Sequence, residues 1–149
     1  MDIKLRILRF NPETDRKGHW EEYILEADPD ERILDLLHKV KWFDDGSLAF
    51  RRSCAQGVCG SDGVNMNGQN GLACITPVSE VAKGNKLEVR PLPGLPVIKD
   101  LIVDMKPFYD QYEKIKPFLD NDDEIATVIA LLFFATRCVA MVCVGKRRT

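Results

Sequence analysis

The stretch from Arg51 to Cys74 constrains this 149-residue chain more than any other. Three cysteines fall inside it: Cys54, then four residues to Cys59, then, past Asp62 at the second spacing and eleven further residues, Cys74. The side chains between them are small or polar, Gly recurs, and no long apolar period runs through. Such a segment has little with which to build a core of its own, so the flanking sequence must supply the scaffold.

That flanking sequence is ordinary for a globular protein, with 45% hydrophobic and 30% charged residues. Twenty-one Lys plus Arg against 23 Asp plus Glu give a formal net charge of −2, so no basic excess marks a nucleic-acid partner. The start, Met1-Asp2-Ile3-Lys4-Leu5-Arg6, alternates charged and apolar residues and does not read as a signal peptide. Five cysteines without a secretory signal point to reduced thiols or metal ligands rather than a disulfide framework.

Ile3, Leu5 and Ile7 alternate with Lys4 and Arg6, the pattern of a half-buried strand that Asn11-Pro12 ends. Trp20–Leu25 reads as a second strand, hairpin-paired with the first. Asp28-Pro29-Asp30 offers turn and N-cap chemistry ahead of an amphipathic helix over 33–42, with Ile33, Leu36, Leu37, Val40 and Trp42 at helical spacing. Val64 and Met66 predict a short strand entering a turn at Asn67-Gly68, and 86–90 alternates again. Pro91, Pro93 and Pro96 punctuate an extended connector. Residues 100–105 and 108–119 look partly helical. The expected fold class is α+β, a mixed sheet over one helix.

The spacing of the cysteine stretch carries the chemistry. Plant-type 2Fe–2S proteins place Cys-x4-Cys-x2-Cys ahead of a distant fourth Cys. Here Asp62 stands at the third position. Two sulfide-bridged irons need four protein anions, two per iron. Cys54 and Cys59 would hold one iron, while Asp62 and Cys74 would hold the other. Gly57 and Gly60 permit the wrap, since they admit positive φ and let amides approach sulfur. A carboxylate is a harder, poorer donor to such a cluster than a thiolate, and the alternative for Asp62 is a turn-forming residue; its register favours ligation. Structural zinc usually needs two tight Cys pairs, which this chain lacks. His19 and His38 are isolated and read as structural or surface groups.

With those residues in view, the chain resembles the succinate dehydrogenase iron–sulfur subunit family, with fumarate reductase as a near cousin. Phe50-Arg51-Arg52-Ser53-Cys54, Gly57-Val58-Cys59-Gly60-Ser61-Asp62-Gly63, Asn65-Met66-Asn67-Gly68 and Asn70-Gly71-Leu72-Ala73-Cys74 carry the resemblance. It continues through Arg90-Pro91-Leu92-Pro93-Gly94-Leu95-Pro96-Val97-Ile98-Lys99-Asp100-Leu101 to Tyr112-Glu113-Lys114-Ile115-Lys116-Pro117. Bacterial members include forms with Asp at the third ligand position. The resemblance implies a β-grasp, 2Fe–2S ferredoxin-like domain over 1–104 and a connector helix over 105–119. It also implies a 2Fe–2S cluster on Cys54, Cys59, Asp62 and Cys74 that takes electrons from the FAD of a flavoprotein subunit toward quinone. Arg51 and Arg52 would offset cluster charge or touch the partner; a plain solvated basic pair is the alternative. Membrane-anchor subunits would be indirect partners. The implied location is the cytoplasmic side of a bacterial inner membrane, or the matrix side in a mitochondrion, held there through partner subunits.

The family's second domain, with its 4Fe–4S and 3Fe–4S clusters, has no counterpart in 120–149, which instead reads as an atypical hydrophobic helical tail. Cys138 and Cys143 repeat the four-residue gap without further anions and read as core-type thiols. The apolar run 125–144 is long enough to span a membrane but contains Arg137. A frameshifted or truncated product is favoured over a partner-pairing tail or a weak anchor. Three functions therefore stand: the electron-transfer subunit, a free 2Fe–2S carrier, and a fragment unable to complete the relay. No residue suggests a base, nucleotide or flavin site, so chemistry on substrate is expected in a partner.

Overall fold

The computed structural model describes residues 1–117. One compact unit holds residues 1–107, and the chain from 108 onward belongs to a second. The 125–144 run, Cys138 and Cys143 lie outside the described residues, as does the rest of the 120–149 tail. Among the described residues, no helix is long and apolar enough to cross a membrane.

Strand β1 (Asp2–Arg9) alternates as expected: Ile3, Leu5 and Ile7 are fully buried, and Lys4 and Arg6 face outward. Antiparallel β2 (His19–Glu26) pairs along its whole length, setting Ile3 opposite Leu25 and Leu5 opposite Tyr23. β3 (Gly63–Met66) and β4 (Gln69–Leu72) form a hairpin whose turn puts Asn67 and Gly68 at φ 47° and 92°, the left-handed pair that two-residue hairpins favour. β5 (Lys86–Arg90) runs parallel to β1 and antiparallel to β3, closing a mixed sheet of order β2-β1-β5-β3-β4. Helix α1 (Ile33–Lys39) contributes Ile33, Leu36 and Leu37 to the same core as Ile3, Leu5, Ile7, Leu87 and Val89. This is the α+β, mixed-sheet arrangement the alternation pattern predicts.

The opposite sheet face stays wet and is covered by charge. Arg6 pairs with Glu22 at 3.2 Å and with Glu88 at 2.5 Å, and its guanidinium lies 4.9 Å from the Trp20 ring centre. Half-exposed pairs of this kind contribute about 0–1 kcal/mol each.

Four local expectations change. The helix over 33–42 is α-helical only to Lys39 and then widens into a π-turn, Val40–Asp44, in which the Asp45 amide donates to Val40 at 2.7 Å. The wider turn swings Trp42 out of the apolar stripe to 68% exposure, where it stacks on His38 at 4.7 Å. Asp28 serves the turn alone: its carboxylate accepts from the Asp30 amide at 3.0 Å, and α1 is entered instead from Arg32, whose amide donates to Asp35 at 3.3 Å. The connector beginning at Pro91 does not simply lead away. It returns through a small hairpin of β6 (Val97–Lys99) and β7 (Ile102–Val103), so the helical reading of 100–105 fails. The return comes at Asp100, whose φ of 47° breaks any helix and whose amide bonds Phe10 at 2.8 Å. The Val78–Val81 segment adds a one-turn helix, α2, that no apolar period announced.

Helix α3 (Lys106–Ile115) starts with the last two residues of the first unit and continues in the chain of the second; Pro107 lies in its first turn, where a missing amide proton costs nothing. Its aromatic residues Phe108, Tyr109 and Tyr112 are about half exposed, at 51%, 56% and 43%.

Candidate metal centre

The cysteine loop hangs between the two ends of α1. At the helix start, the amides of Ile33 and Leu34 have no partner inside the helix and instead donate to Thr76 at 3.1 Å and Ala73 at 2.9 Å. The Arg32 guanidinium adds a bond to the Ile75 carbonyl at 3.0 Å. The turn carrying Cys74 is thereby fixed to the core. At the other end, His38 meets Phe50 edge-on at 5.2 Å, and Phe50 opens the run into Arg51 and Cys54. His38 itself is held below its ordinary pKa by burial and by the nearby Arg52 charge.

From Arg52 to Gly60 most residues are exposed, and main-chain shape replaces packing. Ala55, Gly57 and Gly60 adopt φ of 56°, 77° and 68°. Gly57 is required twice over, because a Cβ there would also sit 2.8 Å from the Ile75 Cγ2. The left-handed residues turn amides inward onto sulfur. The Gln56 and Cys59 amides donate to the Cys54 Sγ at 3.5 and 3.3 Å, and the Gly57 amide donates to the Cys74 Sγ at 3.3 Å.

The four expected donors gather as two pairs. Cys54 and Cys59 share the outer pair, half-buried and exposed respectively. Asp62 and Cys74 form the inner pair, at 5% and 6% exposure. One Asp62 oxygen accepts the Cys74 amide at 2.5 Å, and the Asp62 carbonyl accepts the Ala73 amide at 3.2 Å. The Asp62 carboxylate is thus buried beside Cys74 and ties the later end of the loop to the Cys74 turn. Among the described residues, no three His, Cys, Asp or Glu groups crowd closely enough to chelate one ion.

The electrostatics separate the pairs. The Cys59 thiol is lowered to about 6 by the Ser61 hydroxyl at 3.2 Å, by the Ser61 amide and by Cys54. Burial pushes the Cys74 thiol up, and the adjoining Asp62 carboxyl pushes it further. An exposed thiol poised to ionise and a buried acid–thiol pair that repels negative charge make a donor set short of cations. A cationic metal group between them would relieve that repulsion and draw the thiol protons off. Amides already turned toward sulfur fit the same group, since they stabilise anionic sulfur without competing for metal.

Sequence spacing singled out Cys54, Cys59, Asp62 and Cys74, which the fold brings into one region, and foresaw the positive φ of Gly57 and Gly60. It missed the left-handed Ala55, the Ser61 hydroxyl and the Ile75 side chain that excludes a Cβ at Gly57. A serine two residues after a cysteine was the available sign for Ser61. Nothing local marked the other two.

With this geometry in hand, the comparisons with known proteins fall into place. The family described as the 2Fe–2S iron–sulfur cluster binding domain matches residues 4–110. The chain belongs to that family, and its cofactor is the 2Fe–2S cluster. It is 48% identical over 120 residues to the succinate dehydrogenase iron–sulfur subunit of Coxiella burnetii, covering 79% of this chain and 50% of that one. It is 43% identical over 119 residues to the mitochondrial succinate dehydrogenase [ubiquinone] iron–sulfur subunit 1 of Oryza sativa subsp. japonica, covering 78% and 42%. Among solved structures, it resembles a chain of the Mycobacterium smegmatis Sdh1 complex in the apo form, with a TM-score of 0.71 and 32% identity over 82% of this chain and 50% of that chain. The chain spans about half the length of the curated relatives it matches.

Proposed function

We propose that this chain is the iron–sulfur, electron-transfer element of a succinate dehydrogenase, with Cys54, Cys59, Asp62 and Cys74 holding its 2Fe–2S cluster. The observation that carries the ligand assignment is the pairing of donors, Cys54 with Cys59 and Asp62 with Cys74, around amides directed at sulfur. When bound, the cluster supplies one-electron redox chemistry. The chain's own residues do the rest. Gln56, Gly57 and Cys59 present amide protons to the sulfurs, Asp62 fixes the Cys74 turn, and the carbonyls of Ala73, Ile75 and Thr76 hold that turn to the start of α1. The thiol protons of Cys54, Cys59 and Cys74 would leave as the site fills.

The rim of the loop supports electron delivery by a partner. Cys59 is exposed and Val58 is 81% exposed, so a docked surface can approach within a few side-chain widths of the site. By resemblance that partner is the FAD-containing flavoprotein subunit, with membrane-anchor subunits reached indirectly. The complex then sits peripherally on the cytoplasmic side of a bacterial inner membrane, or on the matrix side in a mitochondrion. The domain plan proposed is 1–104 for the ferredoxin-like domain, 105–119 for a connector and 120–149 for the tail. The same exposed rim also suits a free 2Fe–2S carrier, which is the second reading.

Reduction by succinate separates the two. The reconstituted full chain, mixed anaerobically with a succinate dehydrogenase flavoprotein subunit, is expected to lose its oxidised visible absorption on adding succinate, and to elute with that subunit in gel filtration. Reduction by a ferredoxin reductase alone, with neither co-elution nor response to succinate, would favour the free carrier.

A further inference from the structure

Asp62 and Asp100 are the two buried carboxylates among the described residues, and only the first belongs to the donor set. Asp100 is 2% exposed and takes part in an ion-pair node at the far end of the sheet. One oxygen accepts the Arg9 Nε at 3.0 Å and the Phe10 amide at 3.0 Å; the other accepts the Ala49 amide at 2.8 Å. Arg9, itself 6% exposed, spreads its remaining protons over Glu21 at 2.7 Å, the Tyr23 hydroxyl at 3.0 Å, the Ser47 hydroxyl at 2.9 Å and Asp45. Burial opposes the Arg9 charge, but Asp100 and Asp45 more than offset it, so the guanidinium stays protonated.

The contacts converge on one segment. Asp45 and Ser47 hold Arg9, the Ala49 amide holds Asp100, and the Leu101 amide donates back to the Ala49 carbonyl at 3.2 Å. Lys41 ties down the carbonyls of Gly46 at 3.0 Å and Leu48 at 2.7 Å, and Leu48 is fully buried. Residues 45–49 are therefore clamped one after another, and Phe50 follows against His38. Immediately beyond lies the loop in which the amides toward Cys54 and Cys74 do the shaping. The loop's later end is fixed by Asp62, and its earlier end by this node.

We propose that Arg9 and Asp100 are positioning residues for the metal centre: they hold the root of the cysteine loop at 45–49 so that the Cys54 pair stays in register with the Cys74 pair. The inference rests on the cluster lying in this loop. Groups hydrogen-bonded directly to metal ligands change metal affinity by about 10–100-fold when removed, and Arg9 and Asp100, one segment further out, are expected to act at or below the low end of that range. A node that served the sheet alone would change retention only as far as it changed overall stability.

The test uses the full chain reconstituted anaerobically with iron and sulfide. Loss of visible absorption to an iron chelator is timed, and the thermal midpoint of the same samples is followed by far-UV circular dichroism. Asp100→Asn keeps the size and tolerates the left-handed backbone but sets an NH2 group against either the Ala49 or the Phe10 amide. It is expected to release iron about threefold to tenfold faster and to change the visible circular dichroism of the bound cluster. Ser47→Ala, which cuts one exposed strut of the node, shifts both in the same direction by less. Ile7→Val, a core change chosen to lower the midpoint without touching the node, leaves the release rate and cluster spectrum near wild type. The inference is overturned if release in all three variants follows the thermal midpoint on one line with the spectrum unchanged. A wild-type chain that takes up no iron and sulfide would instead defeat the functional reading beneath it.

Discussion

The sheet with α1 and the cysteine loop occupy the same domain but hold their shapes by opposite means. The first is closed by Ile3, Leu5, Ile7, Leu36, Leu37, Leu87 and Val89, each at most 1% exposed. Shape there is a consequence of removing apolar surface from water, worth about 1.5–3 kcal/mol per large side chain. The loop has no such interior. Its curvature comes from left-handed residues, amides turned onto sulfur and anchors at both ends. From that difference the scaffold is expected to fold without the cofactor, and the loop to gain stability when cluster binding adds to folding.

The sharpest way to break this comparison is to damage each half separately. Leu36→Ala is expected to lower the stability of the whole domain by about 2–5 kcal/mol, read by chemical denaturation, because a fully buried side chain leaves a cavity. Gly57→Ala should act locally: the left-handed φ alone costs about 1–2 kcal/mol, and the Cβ also meets Ile75. Its signature is lower iron occupancy with an apo-chain denaturation curve displaced far less than that of Leu36→Ala. An equal displacement of both curves would show that the loop is part of the cooperative core.

A smaller effect sharpens the account of the sheet's polar end. Asp45 is held well below the usual carboxylate range by its bond to Arg9 and by Ser47. A folded-state pKa below the unfolded one adds stability above about pH 4, lost as the pH falls further. The thermal midpoint of Asp45→Asn should therefore lie below wild type at neutral pH and converge with it below about pH 4. A gap that stays constant down to low pH would mean that the charge of Asp45 contributes nothing.

The two halves were also unequally legible in the sequence. Alternation in β1 and apolar spacing in α1 follow from burial, and burial dictates residue type, so Ile3, Leu5, Ile7, Leu36 and Leu37 could be placed in advance. Gln69-Asn70-Gly71-Leu72 has no alternation; it is a strand because the turn at Asn67 and Gly68 folds it back onto β3. Residues 100–105 looked helical because a left-handed Asp100 leaves no periodic mark. The four candidate donors stood out in the sequence because cluster chemistry calls for a fixed spacing of such groups. Arg9 and Asp100 were not, since 91 residues separate two partners that only the tertiary fold brings within 3.0 Å. Trp42 sat at the right spacing for the core and was carried outward by one extra residue in the turn after α1.

The central claim is that Cys54, Cys59, Asp62 and Cys74 grip a two-iron, two-sulfide cluster. The most direct measurement is iron, acid-labile sulfide and zinc content of the full chain purified anaerobically, for wild type and Cys59→Ser side by side. The account predicts about two irons and two sulfides per wild-type chain, and loss of most of both in Cys59→Ser with the apo fold intact. Stoichiometric zinc without sulfide, or a Cys59→Ser chain as richly loaded as wild type, would contradict it.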